Sequence, residues 1–78
     1  MKSKVGILTK KFGLKVKIER TKRGISQMKL AEMTSISTTS IGAIERGISS
    51  PTLETIGAIA KAFDMSLSEL VDINKVEL

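Results

Sequence analysis

Residues 25–47 read ISQMKLAEMTSISTTSIGAIERG, and two short helices separated by a tight turn can be laid on them. Ser26 suits an N-cap, because its hydroxyl can accept a hydrogen bond from a free backbone N–H of a helix over Gln27–Thr34. In that helix Leu30 and Ala31 fall inward, and the small Ala31 permits a close helix neighbour. Ser35 and Ile36 make the turn. Ser37 then caps a second helix, which puts Ile41 and Ile44 inside and stops at Gly47, where glycine accepts the left-handed backbone of a helix end.

Upstream, Leu8, Phe12 and Val16 recur four apart, as on one helix face. The sequence predicts that helix over 9–24, with Thr9 as cap and Gly24 as stop. Leu14 and Ile18 lie about 140° round from the stripe, too far for one narrow core face. They need another cover, either the chain's own N-terminal arm or C-terminal tail, with Ile73, Val76 and Leu78, or a subunit or partner surface. Downstream, Pro51 and Thr52 open a helix in which Leu53, Ile56, Ile59, Ala60 and Phe63 keep the i, i+3, i+4 rhythm. Ser50 and Thr52 are both candidate caps. Asp64 ends that helix, and Ser66 with Glu69 forms a capping box for a last helix carrying Leu67 and Leu70. The expected architecture is therefore all-α, a compact five-helix bundle. Its core covers about residues 9–71, between a short arm (1–8) and a tail (72–78) that either extends the last helix, frays, or pairs as a strand with residues 5–8.

Composition agrees with a single small domain over 1–78. Of 78 residues only Phe12 and Phe63 are aromatic, so the core is aliphatic and a β-sandwich or barrel is disfavoured. There is no Cys and no His, hence no disulfide, thiol nucleophile, soft metal ligand or neutral-pH general base; no enzyme, metal or cofactor is expected. Residues 1–29 hold ten bases and one acid, whereas residues 30–78 hold three bases and seven acids. Such a one-sided field suits a polyanion, although a solvated basic face would look the same. No apolar run is long enough for a signal peptide or a membrane span, which fits a cytoplasmic protein, associated with the nucleoid if DNA is the polyanion.

The two central helices have the layout of a helix-turn-helix, whose second helix enters the DNA major groove. Several linked blocks resemble the phage repressor and Cro-like helix-turn-helix domains, the xenobiotic-response-element (XRE) family. They are ISQMKLAE from Ile25, Ile36-Ser, IGAIERG from Ile41, PTLETI from Pro51 and AKAFDMSLSEL from Ala60; with Phe12, Gly13 and Arg20 the likeness covers about residues 12–71. It implies a lambda-repressor-like five-helix bundle that binds double-stranded DNA, usually as a homodimer on a palindromic site. It also implies a structural ion pair between Arg20 and Glu45.

By the same resemblance, Ser37, Thr38, Thr39, Ser40 and Ala43 are the candidate base contacts, and Gln27, Lys29 and Arg46 the candidate phosphate contacts. Dimer contacts fall on Leu67, Leu70, Val71 and Ile73. Three departures stand out. Lys29 occupies a position often acidic in the family and opposes the helix dipole. Ser35 replaces the usual turn glycine, and Gly42 costs about 1 kcal/mol relative to Ala unless close approach makes use of it. The expected function is a transcriptional regulator, either repressor or autoregulator, with no membrane association and no small-molecule ligand. The alternative is a protein-interaction module such as an antitoxin or bridging factor, with DNA binding secondary.

Overall fold

The computed structural model describes residues 4–78, as five helices: α1 (Lys4–Lys22), α2 (Gln27–Thr34), α3 (Thr38–Glu45), α4 (Leu53–Ala62) and α5 (Leu67–Leu70). No strand occurs among the described residues. α1 packs against α3, α2 against both α3 and α4, and α4 against α5. One aliphatic core joins Phe12 and Val16 of α1 to Leu30, Ile41, Ile44, Ile59, Phe63 and Leu70. No described helix is long and apolar enough to cross a membrane.

The caps form at Ser26, Ser37, Thr52 and Ser66, and Thr52 is the residue that starts α4. Ser66 and Glu69 make the reciprocal box, in which Glu69 Oε1 accepts from the Ser66 N–H at 2.8 Å. α1 departs from expectation. It starts at Lys4, not after a cap at Thr9, so residues 4–8 of the expected arm are helical and residues 1–3 lie outside the described residues. Residues 4–8 contain no proline and the helix carries Gly6 within it, while the Thr9 hydroxyl lies 3.4 Å from that of Ser50 in the α3–α4 loop. Leu8 is consequently an exposed residue of an outlying turn, not part of the core stripe. Leu53 is also exposed, because the first turn of α4 clears the bundle and burial begins with half-buried Ile56.

Ser35 ends α2 with φ 60, in the left-handed region, and the Ile36 N–H donates to the Ala31 carbonyl at 3.2 Å. That backbone costs an L-residue about 1–2 kcal/mol, which glycine avoids at some expense in unfolded-state entropy. Ser35→Gly is expected to raise stability by about 0.5 kcal/mol in urea denaturation, since the two terms partly cancel. An unchanged midpoint would mean that the serine turn is unstrained.

The end of α1 is tied down by a cluster that charge counting did not reveal. Glu19 is buried and accepts from Arg23 at 2.8 Å, with Lys15 and Lys22 each at 3.5 Å. Arg23 also donates to the Phe63 carbonyl at 2.8 Å and stacks over the Phe63 ring, 4.7 Å from its centroid. The Arg23 hydrogen bond, foremost, holds the Glu19 pKa below the usual carboxylate value, against the opposing effect of burial. A depressed carboxylate pKa adds stability above the unfolded value, and this is lost as pH falls through the folded one. Thermal stability should therefore be level down to about pH 5 and fall below about pH 4.3, the ordinary glutamate value. Glu19→Gln should flatten that fall. A remainder is expected from Glu69, whose pKa is lowered by the Ser66 backbone N–H.

The tail neither extends α5 nor pairs as a strand; it turns, with the Val76 N–H donating to the Ile73 carbonyl at 3.1 Å and Val76 buried. It covers only one flank of α1. Ile18 and Val76 line a common groove of about 450 Å³, Ile18 remains 41% exposed and Leu14 is half-buried.

Candidate nucleic-acid interface

The first turn of α3 presents four hydroxyls, and the fold divides them into two kinds. The Ser37 Oγ accepts from the Ser40 N–H at 3.0 Å and donates to the Ser40 Oγ at 2.9 Å, so both serines are engaged in the cap. Thr38 and Thr39 are exposed, and among the described residues their hydroxyls make no hydrogen bond. Ala43 is half-buried. Hydroxyls can donate to or accept from any base edge, and the threonine and alanine methyls match the thymine methyl.

α3 is held in place by the Glu45 carboxylate. Arg20 of α1 donates to its Oε2 at 2.6 Å and its Oε1 at 3.1 Å, and also to the Ile25 carbonyl at 2.8 Å. The Arg20–Glu45 pair that the resemblance implied is thus formed, and Glu45, chiefly through its hydrogen bond, lifts the Arg20 pKa above its ordinary value. Gln27 adds a third donor, its Nε2 lying 3.0 Å from Glu45 Oε1. One carboxylate therefore fastens α1, the start of α2 and α3 together.

Gln27 and Arg46 both come close to Gly42: a Cβ there would lie 3.0 Å from Arg46 Nη1 and 3.6 Å from Gln27 Oε1. The glycine leaves room for the guanidinium to fold back beside the start of α2. Lys29 stands apart, exposed and paired with Glu32 at 3.1 Å, while the Ser26 Oγ accepts from its backbone N–H at 3.0 Å. Gly13 is the residue whose role sequence reasoning missed. An added Cβ would overlap the Ile44 carbonyl oxygen and lie 3.0 Å from that of Glu45, so α1 and α3 touch backbone to backbone. A glycine in mid-helix, where it costs stability, was the available signal. Among the expected dimer residues, Leu67 and Val71 are exposed and Ile73 half-buried, but Leu70 is fully buried. Leu70 is a core residue closing α5 onto α4, not a contact for another chain.

The helix-turn-helix profile HTH_3 matches residues 16–70, and the chain belongs to that family, the XRE-type DNA-binding transcription regulators. Its fold is shared with the restriction-modification controller protein C.AhdI from Aeromonas hydrophila, at 35% identity and TM-score 0.76 over 81% of this chain and 94% of that one. An HTH_3 family transcriptional regulator from Vibrio cholerae superposes with TM-score 0.83 at 31% identity, over 90% of this chain and 39% of that longer protein. The clp gene regulator ClgR from C. glutamicum, 21% identical over 85% of this chain and 86% of its own, shares the fold with TM-score 0.79. No curated protein matches the chain.

Proposed function

We propose that the chain binds double-stranded DNA sequence-specifically as a homodimer and represses transcription, its own included. The observation that carries this is the outward first turn of α3, where Thr38 and Thr39 keep unpaired hydroxyls, with Gln27 and Arg46 both close to Gly42 of the same helix. Thr38, Thr39 and Ala43 read bases, while Ser37 and Ser40 chiefly hold the helix start. Arg, Lys, Gln and Asn are absent from 37–45, so there is no bidentate base reader; DNA deformability and bridging water supply part of the discrimination. Gln27, the free amides at the start of α2 and Arg46 meet phosphates. Likeness to the Aeromonas controller protein over nearly its whole length supports a regulatory role. Exposed Val71 and half-buried Ile73, lining an apolar groove of about 510 Å³ with Leu8, Phe12 and Ile56, support a dimer through the α5 end, where Leu67 is also exposed. Such a protein acts on chromosomal DNA in the cytoplasm.

Lys29 gives a test with opposite signs. Lys29→Glu completes a capping box with Ser26 and should stabilise the fold by about 0.5 kcal/mol, offset in part by repulsion from Glu32. The same change should weaken DNA binding and flatten its salt dependence by about one unit of slope. An unchanged slope removes Lys29 from the interface.

The decisive experiment compares binding to the chain's own upstream DNA and to a scrambled duplex of equal length, at low and near-physiological salt. Preference that survives the higher salt, and is lost in Thr38→Ala/Thr39→Ala, supports the reading. Equal binding that vanishes with salt defeats autoregulation at that site. A second reading, a bundle that also holds another protein, is favoured by one observation: the tail leaves Ile18 exposed and Leu14 half-covered.

A further inference from the structure

The outer face of α1 carries a pattern that DNA reading does not use. Ile7, Leu14 and Ile18 fall within about 40° of one another round the helix and span about 16 Å along it. Ile7 is 46% and Ile18 41% exposed. Lysines edge this stripe on both sides, Lys10 and Lys17 along one, Lys11 and Lys22 along the other. Among the described residues Lys10, Lys11 and Lys17 form no ion pair, while Lys22 shares the buried Glu19 with Lys15 and Arg23. The surface is concave at Leu14 and Ile18, which with Lys17, Thr21 and Lys22 line a groove of about 350 Å³.

We propose that this lysine-edged face of α1 docks an acidic amphipathic helix of a partner protein, with apolar side chains seated on Ile7, Leu14 and Ile18 and carboxylates meeting the two lysine edges. The proposal rests on the protein-holding reading above and is independent of which DNA is bound. Charge complementarity selects the occupant. A second copy would bring lysine edges against lysine edges, at a cost rather than a gain. A bilayer is flat, whereas the groove at Leu14 and Ile18 is concave. Apolar anchors one to two turns apart or a heptad apart are instead what a helix laid on a groove uses. Gly13, which faces α3, lies about 100° round from Leu14, so the apolar stripe itself points away from α3.

The test titrates isotope-labelled full-length protein with a synthetic helical peptide that carries leucines at heptad spacing flanked by glutamates. The same peptide with every glutamate replaced by lysine, and phosphatidylglycerol vesicles, are the comparison arms. Saturable amide shifts are expected along 7–22 with the acidic peptide only. Ile18→Ser and the charge variant Lys11→Glu/Lys17→Glu should each weaken binding roughly tenfold, while Ile18→Ser leaves DNA affinity within about twofold. Thermal melts confirm that each variant folds, and the charge variant stands in should Ile18→Ser not fold. Absence of saturable shifts on this face, equal binding of the lysine peptide, or binding to vesicles and not to peptide would overturn the proposal. DNA affinity is measured separately, so its failure is distinguishable from failure of docking.

Discussion

Arg20→Ala is expected to lower folding stability by about 3–5 kcal/mol, whereas Arg20→Met/Glu45→Leu together should cost much less than either alanine variant alone. The asymmetry follows from burial. The Glu45 side chain is 2% exposed and that of Arg20 14%, so a charge that loses its mate is poorly hydrated, Glu45 more so than Arg20. Without Arg20, Glu45 keeps a single neutral donor, Gln27 Nε2, and the Ile25 carbonyl loses its guanidinium N–H. Without Glu45, Arg20 keeps the Ile25 carbonyl and more access to solvent, so Glu45→Ala should be the milder single change. A domain of this size has about 5–15 kcal/mol in total, so Arg20→Ala should approach unfolding at 37 °C. Urea denaturation of Arg20→Met, Glu45→Leu and the double gives the cycle. If the double loses as much as the two singles added together, the pair contributes no coupling, and the idea of a clamp that fixes α3 by charge is wrong. DNA affinity, measured where each variant is folded, should recover less in the double than stability does. Apolar side chains can fill the space, but they do not orient the start of α2 and α3 through Gln27.

Much of this architecture was legible because the elements are marked locally. Ser26, Ser37 and Ser66 each sit before a short apolar rhythm, and a cap needs only the residues of its own first turn. Where α1 begins was not legible in the same way. Thr9 has the chemistry of a cap, but a helix that meets no breaker continues, and Thr9 turns toward Ser50, a neighbour far away in sequence. Leu8 and Leu53 were misread for a related reason: helical spacing reports a face, not whether another element reaches that turn. The buried Glu19 was hidden because a charge count treats every carboxylate as solvated, and only the fold brings Arg23 and the Phe63 carbonyl together. In the candidate site, residue types alone could not separate the four hydroxyls of α3. The geometry does so, tying Ser37 to Ser40 and leaving Thr38 and Thr39 outward.

Gly13→Ala should be destabilising although alanine is the better helix former, and the sign of the change tests how closely α1 and α3 approach. On an isolated helix the substitution gains about 1 kcal/mol. Here the new methyl would overlap the Ile44 carbonyl oxygen and crowd that of Glu45, and both obstacles are backbone, which cannot rotate aside as a side chain can. Either α3 moves away from α1 or α1 bends, and forced overpacking of this kind costs about 1–3 kcal/mol or more, outweighing the gain in propensity. Gly57 supplies the control, since an added Cβ meets nothing within 4 Å, and Gly57→Ala should stabilise the fold by about 0.5–1 kcal/mol. Opposite shifts in the urea midpoint for the same chemical change are therefore expected at the two positions. DNA binding should discriminate further. The overlap falls at Ile44 and Glu45, on the helix that carries Thr38 and Thr39, so a displaced α3 should lose specific affinity at salt where Gly57→Ala retains it. Gly13→Ala that is as stable and as tight-binding as the parent would mean that α3 has slack against α1. The bonds of Arg20 and Gln27 to Glu45 and the core packing of Ile44 would then carry the restraint on α3 at that end.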